Sequence, residues 1–390
     1  MKIVVTVIRI LVGLLFIFSG LVKANDPLGL SYKMQEFFEV WGLHGFDAVT
    51  LLMSVLMNAF EIIAGTALLV GWRIKFISRF LLLLIVFFTF LTGYTYITGK
   101  PTNCGCFGDC LPITAKTSFL KDVVLTLFIA FLFWQRKYIK PFLSPTLTTI
   151  KMFFVTLFAF GFQWYTLNYM PIVDCMPFKK GNNISEKMKM PANAIPDSTV
   201  ITFVYEKNGK TVEFTATDFP ADFKVPPYKL IKRYDKVVRK GSNNEPPIKG
   251  FALSGNSKID STEIVLSEPY AILIFLENFS IPIRKWQDKV EKILVLAKEK
   301  NIPIYFVCSQ PELIKEKMAG TALSTIPVFS CDYTAVRTAA RVSPNLYLLE
   351  KGTIVNKWSL HGFGKVLTLL KDLPVLPTTI PPVVDTSEQE

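Results

Sequence analysis

Histidine is almost absent from this chain, with two residues in 390, and neither lies near the stretch where cysteines concentrate. A metal site with imidazole ligands is therefore a poor fit, and we expect no metal centre. The chain also lacks a basic stripe interleaved with aromatic residues, despite a formal net charge of +12. Because several basic residues flank apolar runs, the charge indicates membrane topology and argues against a nucleic-acid partner.

Charged residues are scarce up to about Tyr169, where long apolar runs fill the chain. Overall, 51% of the residues are hydrophobic and 33 are phenylalanine, which is too apolar for a soluble protein of this length. From Met170 onward the charges and turn signals are those of a globular domain. The sequence therefore predicts a multi-domain protein, an α-helical membrane bundle followed by a globular part.

Five stretches approach or exceed the roughly 18 apolar residues that cross a bilayer. They are residues 3–21, 49–70, 80–97, 119–134 and 147–169. We interpret the first as a retained signal anchor, because Arg9 interrupts it and no clean cleavage site precedes Lys23. Basic residues occupy two of the connections, Arg73, Lys75 and Arg79 in one and Arg136, Lys137 and Lys140 in the other. The positive-inside rule then predicts a multi-pass protein of the bacterial inner membrane with a cytoplasmic N-terminus and a periplasmic C-terminal domain.

Three of the six cysteines, Cys104, Cys106 and Cys110, lie within seven residues of the loop between the third and fourth spans. The intervening Gly105 permits a tight turn, and a disulfide across an i,i+2 pair would be easily reduced. We therefore predict a catalytic pair at Cys104 and Cys106. A structural disulfide and a three-thiolate metal knuckle remain open alternatives. Cys175, just after the fifth span, makes Cys110–Cys175 the favoured supporting bridge, but four cysteines allow three pairings and Cys104–Cys110 is also open.

Arg9 and Glu61 are charged residues inside the first two predicted spans, at depths that differ by less than the reach of an arginine. Because an unpaired charge in the membrane is expensive, we predict an ion pair between them that locks the bundle. The alternative is a proton or quinone site that includes Asn58, Glu61 and either Tyr94 or Tyr96.

The N-terminal part carries Arg9-x3-Gly13-x2-Phe16-x-Phe-Ser19-Gly20-x2-Lys23, followed by Glu61-x3-Gly65 and Gly71, a set that resembles the DoxX-like membrane superfamily. The string Cys104-Gly-Cys106-Phe-Gly108 is similar to the MauE-like branch, the methylamine-utilisation membrane proteins. The resemblance covers about the first 135 residues. It implies a role in disulfide formation and maturation of exported partners, alongside a thioredoxin-like protein.

From Tyr270 onward, short β-branched runs alternate with helical patterns. We predict strands at 271–276, 303–308, 328–331, 346–350 and 354–358, and helices near 283–299, 311–319 and 335–341. This alternation is typical of an α/β domain with a partly parallel sheet. The order resembles the TlpA and peroxiredoxin branch of the thioredoxin fold over roughly residues 265–373.

In that branch a Cys-x-Pro-Cys turn would fall at Ser280, Pro282 and Ile283, where the proline is present and both cysteines are missing. Pro344, after Ser343, matches the family's cis-proline. A serine with no base to activate it does not attack disulfides, so we expect a redox-silent docking domain for a client. Two further cysteines, Cys308 and Cys331, are interpreted as buried free thiols, with a bridge or redox pair as the alternative.

The predicted organisation is a four-span membrane domain at 1–138, a fifth span at 139–170, an exoplasmic linker and β-rich extension at 171–264, the thioredoxin-like domain at 265–373 and a disordered tail at 374–390. Within the extension, Asn208-Gly209 predicts a hairpin between strands at 199–205 and 210–215.

The functional hypothesis is an inner-membrane protein that assists thiol–disulfide chemistry or maturation of an exported client protein. Whether the chain is itself a thiol–disulfide oxidoreductase or an accessory subunit stays open, and a quinone is the one cofactor under consideration. The alternative is a non-catalytic membrane scaffold that presents a peptide-binding domain in an envelope complex.

Overall fold

The computed structural model describes residues 1–377 except 102–107, 109, 112, 142–143, 216, 220–227, 240, 242, 256–258 and 279–280. Its first half contains five helices long and apolar enough to cross a membrane. They are α1 (Lys2–Ala24), α3 (Asp47–Val70), α4 (Ile74–Thr98), α5 (Ala115–Trp134) and α6 (Pro145–Tyr169), with α2 (Pro27–Val40) between the first two. The five predicted spans are confirmed. Each helix begins before its predicted start, and α1 and α4 also end after their predicted ends.

Helix α2 was not predicted, although its start has a clear cause. Asp26 is the N-cap, and its Oδ1 accepts a hydrogen bond from the Gly29 N–H at 3.1 Å. Pro27 occupies the first helical position, where the missing N–H does no harm. The loop predicted between the first two spans is therefore mostly helical.

The membrane helices form two close pairs, α1 along α3 and α4 along α5. Glycines allow α1 to approach α3 closely. A Cβ on Gly13 would lie 2.5 Å from Leu69 Cδ2, and one on Gly20 would lie 2.7 Å from Ile62 Cγ1. Larger side chains at these positions would push the two backbones apart. These glycines thus determine the register of α1 against α3.

A three-stranded antiparallel sheet and a short helix follow the last span. Helix α7 is Ile184–Lys187, and the strands are β1 (Ser198–Lys207), β2 (Lys210–Thr215) and β3 (Tyr228–Arg239) in the order β2-β1-β3. Asn208 and Gly209 have φ angles of 53° and 73°, as a tight hairpin turn requires, so the hairpin prediction is confirmed. The long strand β3 was not predicted individually.

The second sheet has five strands in the order β6-β5-β4-β7-β8. Strands β4 (Ala271–Leu276), β5 (Ile304–Cys308) and β6 (Val328–Ser330) pair in parallel, whereas β7 (Asn345–Glu350) and β8 (Thr353–Ser359) add in antiparallel fashion. The remaining helices are α8 (Thr262–Ser267), α9 (Gln287–Glu299), α10 (Pro311–Met318), α11 (Tyr333–Ala339) and α12 (Phe363–Asp372).

Helices cover both faces of this sheet. Ile272 and Ile274 of β4 pack with α9, α10 and α12, while Leu273 and Phe275 face α7, α8 and α11. Strand β4 is buried throughout, which explains its unbroken apolar run. Three parallel strands extended by an antiparallel hairpin, with helices on both faces and a cis Ser343–Pro344 bond before β7, make this a thioredoxin-like domain.

Candidate functional site

The thioredoxin-like domain rests on the end of the bundle where α1 ends and α2 begins. Arg341 Nε lies 2.9 Å from Asp26 Oδ2, and these side chains are 7% and 15% exposed. The Arg337 guanidinium lies 3.6 Å from the centroid of the Tyr32 ring and donates to the amide oxygen of Gln35. Charge, cation–π contact and hydrogen bonding therefore hold the two domains together.

The loop with the cis-proline packs against the end of strand β4. Ser343 Oγ accepts hydrogen bonds from the N–H groups of Glu277 and Asn278, at 3.2 and 3.4 Å, and donates to the Asn278 carbonyl at 3.1 Å. The structure thus brings the Ser343–Pro344 loop beside the start of the degenerate turn.

The turn itself is described only in part. Ser280 lies outside the described residues, so its predicted role stays a prediction. Pro282 and Ile283 follow, with Pro282 preceding a short 3₁₀ turn at Ile283–Lys285.

Glu277 connects this loop to the domain junction. Burial raises the pKa of its carboxyl group, although the charges of Arg337 and Arg341 oppose that shift. Burial also raises the pKa of Tyr32 to about 12, with a further contribution from the charge of Glu277. Arg341, which contacts Asp26 of the bundle, is two residues before Ser343, so the cis-proline end of the sheet faces the membrane bundle.

The predicted catalytic pair, Cys104 and Cys106, lies outside the described residues. The positions around it are described: Pro101 is buried, and Gly108 lies against Val22 near the end of α1. The loop therefore leaves and rejoins the described chain at the same end of the bundle as the domain junction.

A disulfide joins Cys110 to Cys175, with a Cα–Cα distance of 4.9 Å. This is the pairing that the sequence favoured, and it leaves Cys104 and Cys106 as the remaining pair of the four. Next to Cys175, the Asp174 carboxylate forms an ion pair of 2.7 Å with Lys357 of β8. The cysteine loop, the start of the globular region and the thioredoxin-like domain are thus tied together at one place.

The predicted Arg9–Glu61 ion pair is wrong. Arg9 donates to the carbonyls of Leu68 and Leu69, at 2.7 and 2.6 Å, and of Lys140 at 3.2 Å. It therefore satisfies carbonyl groups at the C-terminus of α3, where helical partners run out. The glycine contacts set Glu61 level with Gly20, eleven residues beyond Arg9 on α1, or about 16 Å along the axis.

Glu61 pairs with Lys23 instead, and their side chains are 1% and 3% exposed. The Lys23 ammonium also lies 4.9 Å from the centroid of the Phe88 ring. Sequence reasoning missed this partner because Lys23 was taken for a flanking charge, yet its place in the same motif as Gly20 was a usable signal. The ion pair is buried between α1 and α3.

A cavity of about 140 Å³ lies beside this ion pair. It is bounded by α1 and α3 on one side and by α4 and α5 on the other, and α2 covers it. A second ion pair also lines the cavity, with Lys121 Nζ 2.5 Å from Asp122 Oδ1. The Thr92 hydroxyl group donates a hydrogen bond of 3.1 Å to Asp122 Oδ2. The other walls are mainly apolar and aromatic: Phe16, Leu30, Met34, Phe37, Phe38, Trp41, Met53, Met57, Ile85, Phe87, Phe88, Leu91 and Leu125.

The other residues of the alternative polar site do not line this cavity. Asn58 donates to the Gln163 side chain at 3.2 Å and thereby joins α3 to α6. The Tyr94 ring lies 5.8 Å from Trp41, and Tyr96 stacks on Phe119. Of the residues proposed from sequence for a proton or quinone site, only Glu61 borders the cavity.

Cys308 and Cys331 are both buried and free. Cys308 packs in the core on one face of the sheet, with α9, α10 and α12, whereas Cys331 packs on the opposite face with α11. Burial raises the pKa of Cys308 to about 12 and that of Cys331 to about 11. The geometry supports inert thiols and disfavours a bridge between them.

Comparison with known proteins finds family matches for two separate stretches of the chain. Residues 1–135 match the family described as methylamine utilisation protein MauE, and residues 194–240 match a domain of unknown function, DUF8463. The curated Protein TlpB of Flavobacterium psychrophilum is 28% identical over 130 residues, which are 33% of this chain and 35% of that protein. The chain thus spans about a third of the length of this relative.

Two solved structures of yeast Sco1, one with copper bound, cover 34% and 33% of this chain and 97% and 95% of their own. They are 18% and 19% identical, with a TM-score of 0.26 in each case. That score is too low to carry a functional argument.

Proposed function

We propose that this chain, in which a MauE membrane domain is joined to a thioredoxin-like domain, assists thiol–disulfide chemistry in the maturation of exported proteins. Cys104 and Cys106 are the exchanging pair in this proposal. The observation that carries it is the Cys110–Cys175 disulfide, which ties the cysteine loop to the domain junction and occupies the other two cysteines.

The basic connections support the orientation that this chemistry needs. Arg73 precedes α4 and Arg136 follows α5, so both connections lie at the end of the bundle away from the thioredoxin-like domain. The positive-inside rule places that end in the cytoplasm and the cysteine loop in the oxidising compartment. A reporter that is active only after export, fused after Glu390, should be active; activity only in the cytoplasm would overturn this orientation.

The exchange itself needs only the two loop thiols and a client dithiol. A client thiolate attacks the Cys104–Cys106 disulfide, forming a mixed disulfide and releasing one loop thiolate. The second client thiolate then attacks the mixed bond, so the client is oxidised by two electrons and the loop is left as a dithiol. The structural disulfides of stable secreted domains resist reduction and do not exchange in this way.

The thioredoxin-like domain has a positioning role in this proposal. Its turn keeps Pro282 and lacks the thiols. Its cis-proline loop at Ser343 follows Arg341, which contacts the bundle at Asp26. In related folds such a loop offers backbone groups to an extended peptide. The domain would therefore hold a client close to the cysteine loop without taking part in electron transfer.

Trapping of the mixed disulfide tests the proposal. In Cys104→Ser and Cys106→Ser variants the remaining thiol cannot be resolved from within the loop, so one of them should accumulate a client adduct on a non-reducing gel. Mass spectrometry would identify the bonded cysteine. Cys331→Ala is the matched control, because it removes a buried cysteine and leaves both loop thiols in place, so no adduct should accumulate.

Absence of an adduct in both loop variants, with normal folding of envelope proteins, would contradict catalysis. The tied junction at Asp26, Arg341 and the Cys110–Cys175 bridge would then support the scaffold function.

A further inference from the structure

We propose that the cavity beside Lys23 and Glu61 binds the ring of an isoprenoid quinone, which takes electrons from the loop dithiol. The thiol half of this inference rests on the proposed function. The cavity itself is formed wholly by described residues, so its occupancy can be tested independently.

The size and opening of the cavity suit such a ring. Its volume of about 140 Å³ is close to the roughly 150 Å³ of an engineered apolar cavity that binds benzene. Leu15, Met53 and Phe87 line it and are also exposed on the flank of the bundle. A lipid-soluble ligand could therefore enter from the bilayer, with its isoprenoid tail left among the lipid chains.

The polar groups are those that a quinone and its quinol need. Glu61 is 1% exposed, and its Oε2 has no hydrogen-bond partner among the described residues. An unsatisfied carboxylate oxygen at such depth is costly, and a ligand hydroxyl group would satisfy it. Lys23, beside Glu61, is a donor that suits a quinone carbonyl, and Lys121 with Asp122 repeats this donor and acceptor combination on the same cavity.

The apolar and aromatic walls around these ion pairs disfavour the binding of a small hydrated ion. Phe37, Phe88 and Trp41 present aromatic surface to the cavity, and flat conjugated rings pack well against such side chains. A free phosphate or carboxylate would have to leave water for this mostly apolar space. A lipid acyl chain could fill the volume, but it would leave Glu61 Oε2 unsatisfied.

With the quinone as oxidant, the electrons and protons of the thiol oxidation are fully accounted for. The loop dithiol loses two electrons and two protons and becomes a disulfide, while the quinone gains both and becomes a quinol. Glu61 and Asp122 can then accept hydrogen bonds from the two new hydroxyl groups. This step restores the disulfide that client oxidation consumes.

The cavity also lies on the correct side of the bundle for this exchange. Lys23 is one residue from the end of α1, and its neighbour Val22 contacts Gly108. Gly108 belongs to the cysteine loop, so this loop returns to the described chain beside the end of α1 at which Lys23 lies.

Quinone binding by the full-length protein in detergent is the test. Solvent extraction of protein purified without added quinone should release a long-chain quinone, identified by chromatography and ultraviolet absorbance. The stripped protein should bind added menadione or short-chain ubiquinone, followed by quenching of tryptophan fluorescence.

Two variants alter the site in different ways. Met57→Trp fills the cavity and leaves both ion pairs intact, whereas the double variant Lys23→Met/Glu61→Leu removes the polar groups without leaving a bare charge. Each should weaken quinone binding by about tenfold or more, since a lost buried polar contact is of that order.

The matched control is Asn58→Leu/Gln163→Leu, which removes another buried polar contact of α3 that does not border the cavity. Its quinone affinity should equal that of the wild type.

The outcomes separate this inference from the proposed function. If quinone binds normally to the double variant Cys104→Ser/Cys106→Ser, while neither single serine variant forms a client adduct, the quinone site is supported and the thiol function is contradicted. If client adducts form while only phospholipid is extracted, or Met57→Trp binds quinone as tightly as the wild type, the quinone site is refuted.

Discussion

Separating Lys23 from Glu61 should destabilise the bundle strongly, because both groups are almost fully buried, at 3% and 1% exposure. Lys23→Met leaves a carboxylate without its counter-charge, and Glu61→Leu leaves an ammonium. Each single change should lower the free energy of unfolding by about 3–5 kcal/mol, whereas the double change to apolar residues should be near neutral. With these figures the coupling energy of the cycle, the double effect minus the two single effects, should be about 6 kcal/mol or more in magnitude.

Thermal unfolding of the four proteins in one detergent, together with their accumulation in membranes, measures this coupling. A second cycle with Arg9→Leu and Glu61→Leu is the control, since Arg9 contacts backbone carbonyls near Leu68 instead of Glu61. Those two changes should be additive within about 0.5 kcal/mol. Additive effects of Lys23 and Glu61, or strong coupling of Arg9 to Glu61, would refute the arrangement.

Two further predictions concern the other cysteines. The Cys110–Cys175 disulfide spans 65 residues, so the variant Cys110→Ser/Cys175→Ser should lose about 4 kcal/mol of unfolding free energy; an unchanged denaturation midpoint would contradict a stabilising bridge. Burial raises the pKa of Cys308 to about 12 and of Cys331 to about 11, so at pH 8 about one molecule in a thousand or fewer carries either thiolate. Iodoacetamide should therefore modify neither residue until the protein unfolds, and labelling of the folded protein, seen by mass spectrometry, would count against their burial.

Local sequence patterns were sufficient to predict most of the helices and strands. Strands β2 and β4 have the predicted bounds, at 210–215 and 271–276, because a hairpin signal and an unbroken buried run mark their ends. The five spans were also predicted, since apolar length alone decides whether a helix can cross a bilayer. Helix α2 was missed because its apolar residues are interrupted by charges and its cap at Asp26 was read as part of a loop.

The partners of the intramembrane charges could not be predicted in the same way. Counting residues from the ends of two spans estimates depth, but it determines neither the shift of one helix along another nor its rotation. Close contacts at Gly13 and Gly20 decide both in the folded protein, and they bring Glu61 to Lys23. The cavity beside this pair was equally invisible, because four spans and α2 contribute to its wall.

The sequence by itself determined that the chain has a membrane part and an α/β part, that its thioredoxin-like turn lacks both thiols, and which cysteines compete for pairing. The first and last of these properties follow from composition and short-range spacing, and the second follows from the resemblance of the chain to the thioredoxin fold. Only the tertiary structure decided that Cys110 pairs with Cys175, and that Arg341 joins the domains at Asp26 and thereby turns the cis-proline end toward the bundle. Such contacts join residues far apart in the chain, and they depend on packing that no local pattern encodes.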